Sequence, residues 1–142
     1  MAEQDDRELP DWMADHMRRY LETDGEDGHV WRGVPTLLLT TTGRRSSTPR
    51  MLPLIYGKQG DNCVVVASKG GHKDNPLWYE NLVANPEVQV QVAADKFSGR
   101  ARTATGDERA ALWKHMVGIF PAYSDYQENT DREIPVVLLD RQ

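Results

Sequence analysis

The sequence has a single cysteine, Cys63, and no long hydrophobic run. One cysteine cannot form an internal disulfide or a cluster of thiolate metal ligands. No segment approaches the roughly 20 apolar residues that a membrane-spanning helix needs, and the acidic first residues lack the apolar stretch of a signal peptide. We therefore expect a cytoplasmic protein in which Cys63 is a small buried side chain.

Motifs for metal binding, nucleophilic catalysis and nucleotide binding are also missing. The sequence contains no GxSxG turn, no Walker loop and no GxGxxG turn. Zinc-binding spacing is absent among the histidines, which are His16, His29, His72 and His115. These absences weaken hydrolase and metalloenzyme interpretations. They favour a cofactor-dependent enzyme, in which the protein mainly supplies binding and orientation.

The chain as a whole carries no excess of positive charge, because its net charge is −5. This value argues against general nucleic-acid binding, which needs a strongly basic surface. Residues 44–73 nevertheless carry six lysines and arginines against one acid, a net of +5, so the rest carries −10. A basic zone in an acidic protein indicates a small anionic ligand; the alternative is a merely solvated face.

Hydrophobic periodicity predicts a mainly β protein with flanking helices. At 142 residues the chain fits one domain, expected over residues 9–142 after a disordered tail at residues 1–8. Helical spacing predicts an amphipathic helix over residues 9–23. Two later helices are predicted, at residues 77–84 and from Gly106 to Pro121. Six strands are predicted, at residues 36–42, 50–56, 63–68, 88–92, 97–104 and 134–139. Without strand–helix–strand alternation, a small antiparallel barrel is favoured over a doubly wound sheet.

Two basic turns follow predicted strands, at residues 43–50 and 69–76. Their backbone N–H groups, hydroxyls and guanidinium groups match the geometry of a phosphate or carboxylate. Trp78 and Tyr79 follow the second turn, and aromatic rings beside an anion site suit a planar ring on a phosphate tail. For Trp78 the alternative is core packing. Tyr123 and Tyr126 are interpreted as loop residues that either face solvent or form a pocket wall.

Four ordered blocks of sequence carry a resemblance to a known family. They are LLLTTTGRRSSTPR, VVVASKGG, NPLWYENLVANPEVQVQV and FPAYSDYQENTDREIPVVLL. These blocks resemble the deazaflavin-dependent nitroreductase family, split β-barrel oxidoreductases of the FMN-binding-like class that use reduced coenzyme F-420. The resemblance covers residues 31–142, the expected coenzyme-binding barrel, and earlier residues match only in having a helix of similar placement.

The resemblance implies which residues contact the coenzyme. Its phosphate and oligoglutamate tail would meet Arg44, Arg45, Ser46, Arg50 and Lys69. Its ring would lie along Met51, Leu52, Pro53, Leu54, Ile55, Val66, Ala67, Ser68, Leu77, Trp78, Tyr79 and Asn81. Catalytic roles fall to Ser68, as a hydrogen-bond or proton donor to the reduced substrate, and to Tyr123 and Tyr126. Ser47 stands where the family commonly has glycine, and a left-handed backbone there would be strained for serine.

We therefore expect a reductase that transfers hydride from reduced F-420 to a quinone, enone or nitroaromatic, with no metal. An FMN-dependent split-barrel reductase and a non-catalytic coenzyme- or quinone-binding protein are the alternatives. The expected partner is a small-molecule electron acceptor and not a nucleic acid. The apolar stripe of the N-terminal helix would cover the pocket or contact the inner face of the plasma membrane. The sequence leaves the physiological acceptor, the tail-length preference and the oligomeric state open.

Overall fold

A computed structural model describes residues 9–142, so the tail predicted at residues 1–8 lies outside the described residues. The strands are β1 (Val30–Trp31), β2 (Val34–Thr42), β3 (Pro49–Ile55), β4 (Gly57–Gln59), β5 (Asn62–Val66), β6 (Glu87–Val92), β7 (Asp95–Thr103) and β8 (Val136–Arg141). The helices are α1 (Asp11–Glu22), α2 (Leu77–Ala84), α3 (Gly106–Ile119) and α4 (Ala122–Glu128), with a 3-10 turn at Lys69–Gly71. Within the described part of the chain, no helix is long and apolar enough to cross a membrane.

All eight strands belong to one curled antiparallel sheet in the order β1-β2-β6-β7-β8-β5-β4, and β3 pairs with β2 outside that path. The branch lies at β2, where Leu39 is opposite both Leu52 of β3 and Val90 of β6. Such pairing curls the sheet into a half-barrel, because each strand is twisted relative to its neighbour. The predicted mainly β architecture of antiparallel strands with flanking helices is confirmed.

The strand count and one loop differ from the sequence prediction. Two strands were not predicted. β1 has only two residues, and β4 lies in residues 57–62, which were interpreted as a hairpin connection. β4 forms because the turn is confined to Gly60 and Asp61, where Gly60 has φ +62°. Residues 122–128 were predicted as a loop and form α4 instead. This helix has no apolar stripe, and the burial of Tyr123 against Phe120 stabilises it.

The sheet has apolar packing on both faces. Alternate residues of β5 point to opposite sides, so Cys63 and Val65 join one cluster with Trp78 of α2, while Val64 joins another with Met116 of α3. Cys63 is only 1% exposed, which confirms its predicted burial. Burial also raises the pKa of the Cys63 thiol, so the group behaves as a small apolar side chain.

Tyr20 of helix α1 is fully buried against the sheet. Its hydroxyl is within 3.0 Å of the Thr36 carbonyl and 3.3 Å of the Gln91 carbonyl, and it accepts the Ala93 N–H at 2.7 Å. Burial raises the pKa of the hydroxyl, so it remains protonated and able to donate. Tyr20 therefore joins α1 to β2 and to the β6–β7 turn at a single point.

Replacing Tyr20 with phenylalanine should lower the free energy of unfolding by about 1–3 kcal/mol, because buried backbone groups lose a partner. Urea unfolding followed by far-UV circular dichroism measures the change. Tyr79→Phe is the matched control, since its hydroxyl bonds only the solvent-accessible Thr103 hydroxyl and its loss should cost less than about 1 kcal/mol. Equal effects of the two substitutions would contradict the role given to Tyr20.

Candidate coenzyme site

A cleft of about 740 Å³ opens between α1, β3, α2, α4 and the loop that follows β5. That volume is in the range of pockets that enclose a cofactor or a drug-sized ligand. Its wall consists mainly of apolar and aromatic side chains. The polar exceptions include His16 and Thr36 near α1, and Ser68 and Lys69 on the loop.

Eleven of the residues predicted for the site line this cleft together. They are Leu52, Pro53, Leu54, Ile55, Val66, Ser68, Lys69, Leu77, Trp78, Tyr123 and Tyr126. Trp78 also belongs to the core cluster. Its side chain therefore both packs in the core and lines the cleft. The coenzyme contacts of these eleven residues stay predictions, to which the structure adds that they share one cavity.

The remaining predicted residues lie away from the cleft wall. They are Arg44, Arg45, Ser46, Arg50, Met51, Ala67, Tyr79 and Asn81. Ala67 is fully buried in the core, and Met51 borders a second, smaller cleft between β2, β3, β6 and β7. The structure therefore separates residues that face the cleft from residues that support it or lie at its rim.

Asn81 of α2 is fully buried behind the first basic turn. Its side-chain oxygen accepts the Arg44 N–H at 3.1 Å, and its side-chain nitrogen donates to the Thr41 hydroxyl at 3.2 Å. The Arg44 guanidinium is 3.0 Å from the Glu80 carboxylate on the same helix. Asn81 and Glu80 thus fix the position of the basic turn, because both its backbone and its first arginine are bonded to α2.

The first basic turn, residues 43–50, closes on itself through hydrogen bonds between Gly43 and both Ser47 and Thr48. Ser47 has φ +60°, as the family pattern implies. The Ser46 hydroxyl accepts the Thr48 N–H at 3.1 Å and a nitrogen of the Arg50 guanidinium at 3.3 Å. The Arg50 Nε atom is buried without a partner among residues 9–142. An unused guanidinium donor beside a rigid turn fits an anionic group such as a phosphate.

The second basic turn follows β5 and has three consecutive residues of positive φ, Lys69, Gly70 and Gly71. A Cβ atom on Gly70 would meet nothing within 4 Å, whereas one on Gly71 would lie 2.6 Å from the Tyr126 carbonyl oxygen. Gly70 therefore leaves space at the cleft wall, and Gly71 lets α4 pack directly on the turn. Lys69 forms no ion pair with a described residue, so its ammonium group is available to an anion at the cleft.

Helix α4 supplies the aromatic end of the cleft. Tyr123 is 4% exposed, and its ring lies 5.0 Å from that of Phe120 and 6.3 Å from that of Tyr126, edge to face in both cases. Burial, with a smaller contribution from Tyr126, raises the pKa of the Tyr123 hydroxyl well above its usual range. This hydroxyl stays protonated in neutral solution and can act only as a hydrogen-bond donor or a neutral acceptor.

The sequence left open whether the apolar stripe of α1 covers the pocket, and no residue of the β1–β2 hairpin was predicted there. Trp12, Met13 and His16 of α1 line the cleft, as do Trp31 and Arg32. The rings of His16 and Trp31 stack with their centroids 3.9 Å apart. The available sequence signal was Gly33, because a two-residue hairpin turn favours glycine; in the structure Arg32 and Gly33 form that turn with φ values of +52° and +85°.

The cleft combines apolar walls, which suit a planar ring system, with Lys69 of the second basic turn, which suits an anionic tail, while the first basic turn lies away from the cleft wall. The described residues therefore fit a phosphate-bearing deazaflavin: Lys69 lies at the cleft wall, and the Arg50 Nε atom in the first basic turn is buried without a partner. A curled antiparallel half-barrel of this kind is a split-barrel fold.

Residues 12–141 match the family described as F420H(2)-dependent quinone reductase, and the chain belongs to that family. The predicted enzyme class is confirmed. Because the family description names reduced F420, the predicted coenzyme is confirmed as well.

Two comparisons show how far the similarity extends. The F420H(2)-dependent quinone reductase Rv1261c of Mycobacterium tuberculosis (strain ATCC 25618 / H37Rv) is 42% identical over 132 residues, which cover 89% of this chain and 88% of that protein. A solved F420-H2 dependent reductase, FDR-A, is 41% identical, with a TM-score of 0.70 over 75% of this chain and 94% of that one.

Two further solved structures bear on assembly and on fold. One described as a domain-swapped dimer is 41% identical, with a TM-score of 0.73, and covers 92% of this chain and 98% of that one. A Listeria innocua protein described as a pyridoxamine 5'-phosphate oxidase is 14% identical, with a TM-score of 0.54 over 75% of this chain and 83% of that one. The second likeness shows the fold alone and agrees with the split-barrel class.

Replacing Ser47 with glycine should raise the free energy of unfolding by up to about 1 kcal/mol, because glycine adopts the left-handed backbone without strain. Thermal and urea unfolding measure the change. Ser46→Gly is the matched control, since φ at Ser46 is not positive and its hydroxyl accepts two hydrogen bonds. The control should lose about 1 kcal/mol or more. A destabilised Ser47→Gly variant would contradict the strain argument.

Proposed function

We propose that this protein reduces quinones with reduced coenzyme F420 in the cleft described above, and that enones and nitroaromatics are further acceptors. The observation that carries the proposal is the cleft itself, in which apolar walls meet Lys69 of the second basic turn and the side chains of Tyr123 and Tyr126. When bound, the coenzyme supplies the hydride. The family assignment supports this proposal over the FMN-dependent reductase and the non-catalytic binding protein.

The two halves of the cleft differ in chemistry and suggest a division of roles. The β3 wall, Trp78 and Lys69 offer apolar surface beside a cation, which suits the ring and tail of the coenzyme. Trp12, Met13 and Trp31 offer apolar and aromatic surface at the α1 end, which suits an electron-poor ring. We assign the first half to the coenzyme and the second half to the acceptor.

The residues of the cleft would orient the two ring systems, exclude water from between them and donate hydrogen bonds. The apolar walls displace water from the space between the two rings, and orientation at roughly 3–3.5 Å supplies much of the rate in such transfers. A quinone that accepts hydride also needs a proton on oxygen. Ser68 and Tyr123 line the cleft, and the raised pKa of Tyr123 keeps its hydroxyl protonated for a hydrogen bond to that oxygen.

Helix α1 is proposed to cover the acceptor half of the cleft and not to anchor the protein to a membrane. Trp12 lines the cleft while remaining 47% exposed, and the Arg32 guanidinium lies 5.1 Å from its ring. Arg18 and Arg19 are paired with acidic side chains of the same helix and the following loop. Cations that are already neutralised contribute little attraction to anionic lipid.

The test is a spectroscopic assay of the purified protein with reduced F420 and menadione, in which oxidised deazaflavin absorbance reappears. We expect an enzyme-dependent rate with menadione, and slower rates with an enone such as 2-cyclohexen-1-one and with a nitroaromatic. Absence of any enzyme-dependent rate with all three acceptors would refute the proposal. Binding of FMN more tightly than F420 in a fluorescence titration would favour the FMN-dependent alternative.

Replacing Lys69 with alanine should raise the KM for reduced F420 about tenfold and change kcat at saturation little, because a lost charge-assisted contact costs about 1.5–3 kcal/mol of binding. Initial rates at varied coenzyme concentration give both constants. Lys58→Ala is the matched control, since Lys58 is an exposed lysine on β4 and lines no part of the cleft. An unchanged KM with a collapsed kcat would contradict the tail-binding role.

Replacing Trp12 with alanine should raise the KM for menadione severalfold and leave the KM for reduced F420 within about twofold, because an aromatic stacking contact is worth about 0.5–1.5 kcal/mol. Leu21→Ala is the control: Leu21 is on the same helix and 44% exposed, but it does not line the cleft. A change in the coenzyme KM alone would reverse the assignment of the two halves.

A further inference from the structure

Arg132, in the segment between α4 and β8, is bonded to the loop that carries Ser68 and Lys69. Its Nε atom donates to the His72 carbonyl at 2.8 Å, and its Nη2 atom donates to the Ser68 carbonyl at 2.7 Å. Its Nη1 atom reaches the Ala67 carbonyl at 3.2 Å and the side-chain oxygen of Asn75 at 2.9 Å. One guanidinium therefore holds four acceptors between residues 67 and 75.

All four acceptors are neutral. Arg132 forms no ion pair with any carboxylate of residues 9–142, although the charge of Asp74 is close enough to influence it. Burial lowers the pKa of the guanidinium, and Asp74 opposes that shift. An arginine that is not neutralised by an acid commonly serves a geometric purpose, because its planar fork fits several oxygens at fixed angles. It also adds positive charge behind the loop that presents Lys69.

The backbone around Arg132 is bonded to the opposite wall of the cleft. The Gln127 side chain of α4 donates to the Arg132 carbonyl at 2.8 Å and accepts the Ile134 N–H at 3.0 Å. Gly71 of the loop packs directly on the backbone of Tyr126, with no room for a Cβ atom. Arg132 thus links the loop with Ser68 and Lys69 to the helix with Tyr123 and Tyr126.

We propose that Arg132 is a positioning residue that fixes the Ser68–Lys69 loop relative to α4, and so sets the spacing between the coenzyme tail contact and the tyrosines. The inference rests on the proposed function, in which that loop meets the coenzyme. Arg132 does not line the cleft and acts only through the groups it holds. A lysine cannot replace it, because a single ammonium group cannot reach four acceptors spread around a planar fork.

The experiment compares Arg132→Lys with wild type in the assay with reduced F420 and menadione, at a temperature where unfolding curves show both proteins folded. We expect kcat/KM for the coenzyme to fall ten- to a hundredfold, with a higher KM, since the loop loses its fixed geometry. Millimolar methylguanidinium should restore part of the rate to Arg132→Ala and none to Arg132→Lys, whose side chain still fills the site. A wild-type kcat/KM in Arg132→Lys would overturn the proposal.

Arg109→Lys is the matched control. Arg109 donates to the Ile134 carbonyl at 2.7 Å and therefore bonds the same segment, while its ion pair and its ring contact are with Glu133 and Trp113, outside the loop. Its replacement should change stability and leave the coenzyme KM within about twofold of wild type. If both variants lower the melting temperature equally and both raise the KM, the role of Arg132 is general stabilisation and the proposal fails.

Hydrogen exchange of the ligand-free protein separates this inference from the proposed function. In Arg132→Lys the amides of residues 68–75 should exchange at least tenfold faster, while those of β5 keep their protection. This result supports the positioning role even if wild type shows no turnover with F420 and menadione, an outcome that would refute only the proposed function. Unchanged exchange over residues 68–75 would overturn the positioning role whatever the activity.

Discussion

The buried side chain of Asn81 joins the two basic turns of the protein through one helix. Its amide bonds the Thr41 hydroxyl and the Arg44 N–H, so the turn after β2 rests on α2. The same helix begins where the second turn ends, at Leu77. Since an unpaired buried amide is costly, α2 has one position relative to β2 that satisfies these groups. The separation of the two cationic turns follows from that position.

The cleft depends on a second set of polar contacts at its other end. Tyr20 fixes α1 to the backbone of β2 and of the β6–β7 turn, and Arg132 fixes the loop after β5. Apolar burial holds the sheet together but specifies little about direction, because hydrophobic contacts are not directional. Hydrogen bonds of buried side chains therefore fix the positions of the cleft walls. Apolar burial packs the sheet and the helices together around the cleft.

The apolar cleft and its cationic rim agree with the requirements of a hydride transfer between two ring systems. Such a transfer needs no covalent residue, only exclusion of water, a fixed separation and a proton donor. In the proposed function Tyr123 would donate a hydrogen bond to the acceptor oxygen, because burial raises the pKa of its hydroxyl and keeps that hydroxyl protonated. The same burial produces helix α4, since Tyr123 packs against Phe120 in a segment that lacks an apolar stripe. Tyr123 therefore both stabilises α4 and is assigned to the proposed site.

Local patterns in the sequence determined the six longer strands, three of the four helices and the buried cysteine, because periodicity and turn chemistry are encoded within a few residues. The family pattern, in which glycine usually stands at position 47, indicated the left-handed backbone at Ser47. The ordered blocks determined the family and the coenzyme. Only the tertiary structure decided that Asn81 supports the turn and does not line the cleft, that Trp12 and Trp31 complete its wall, and that Arg132 holds the loop. Those contacts join residues up to 65 positions apart, and no local pattern records such a pairing.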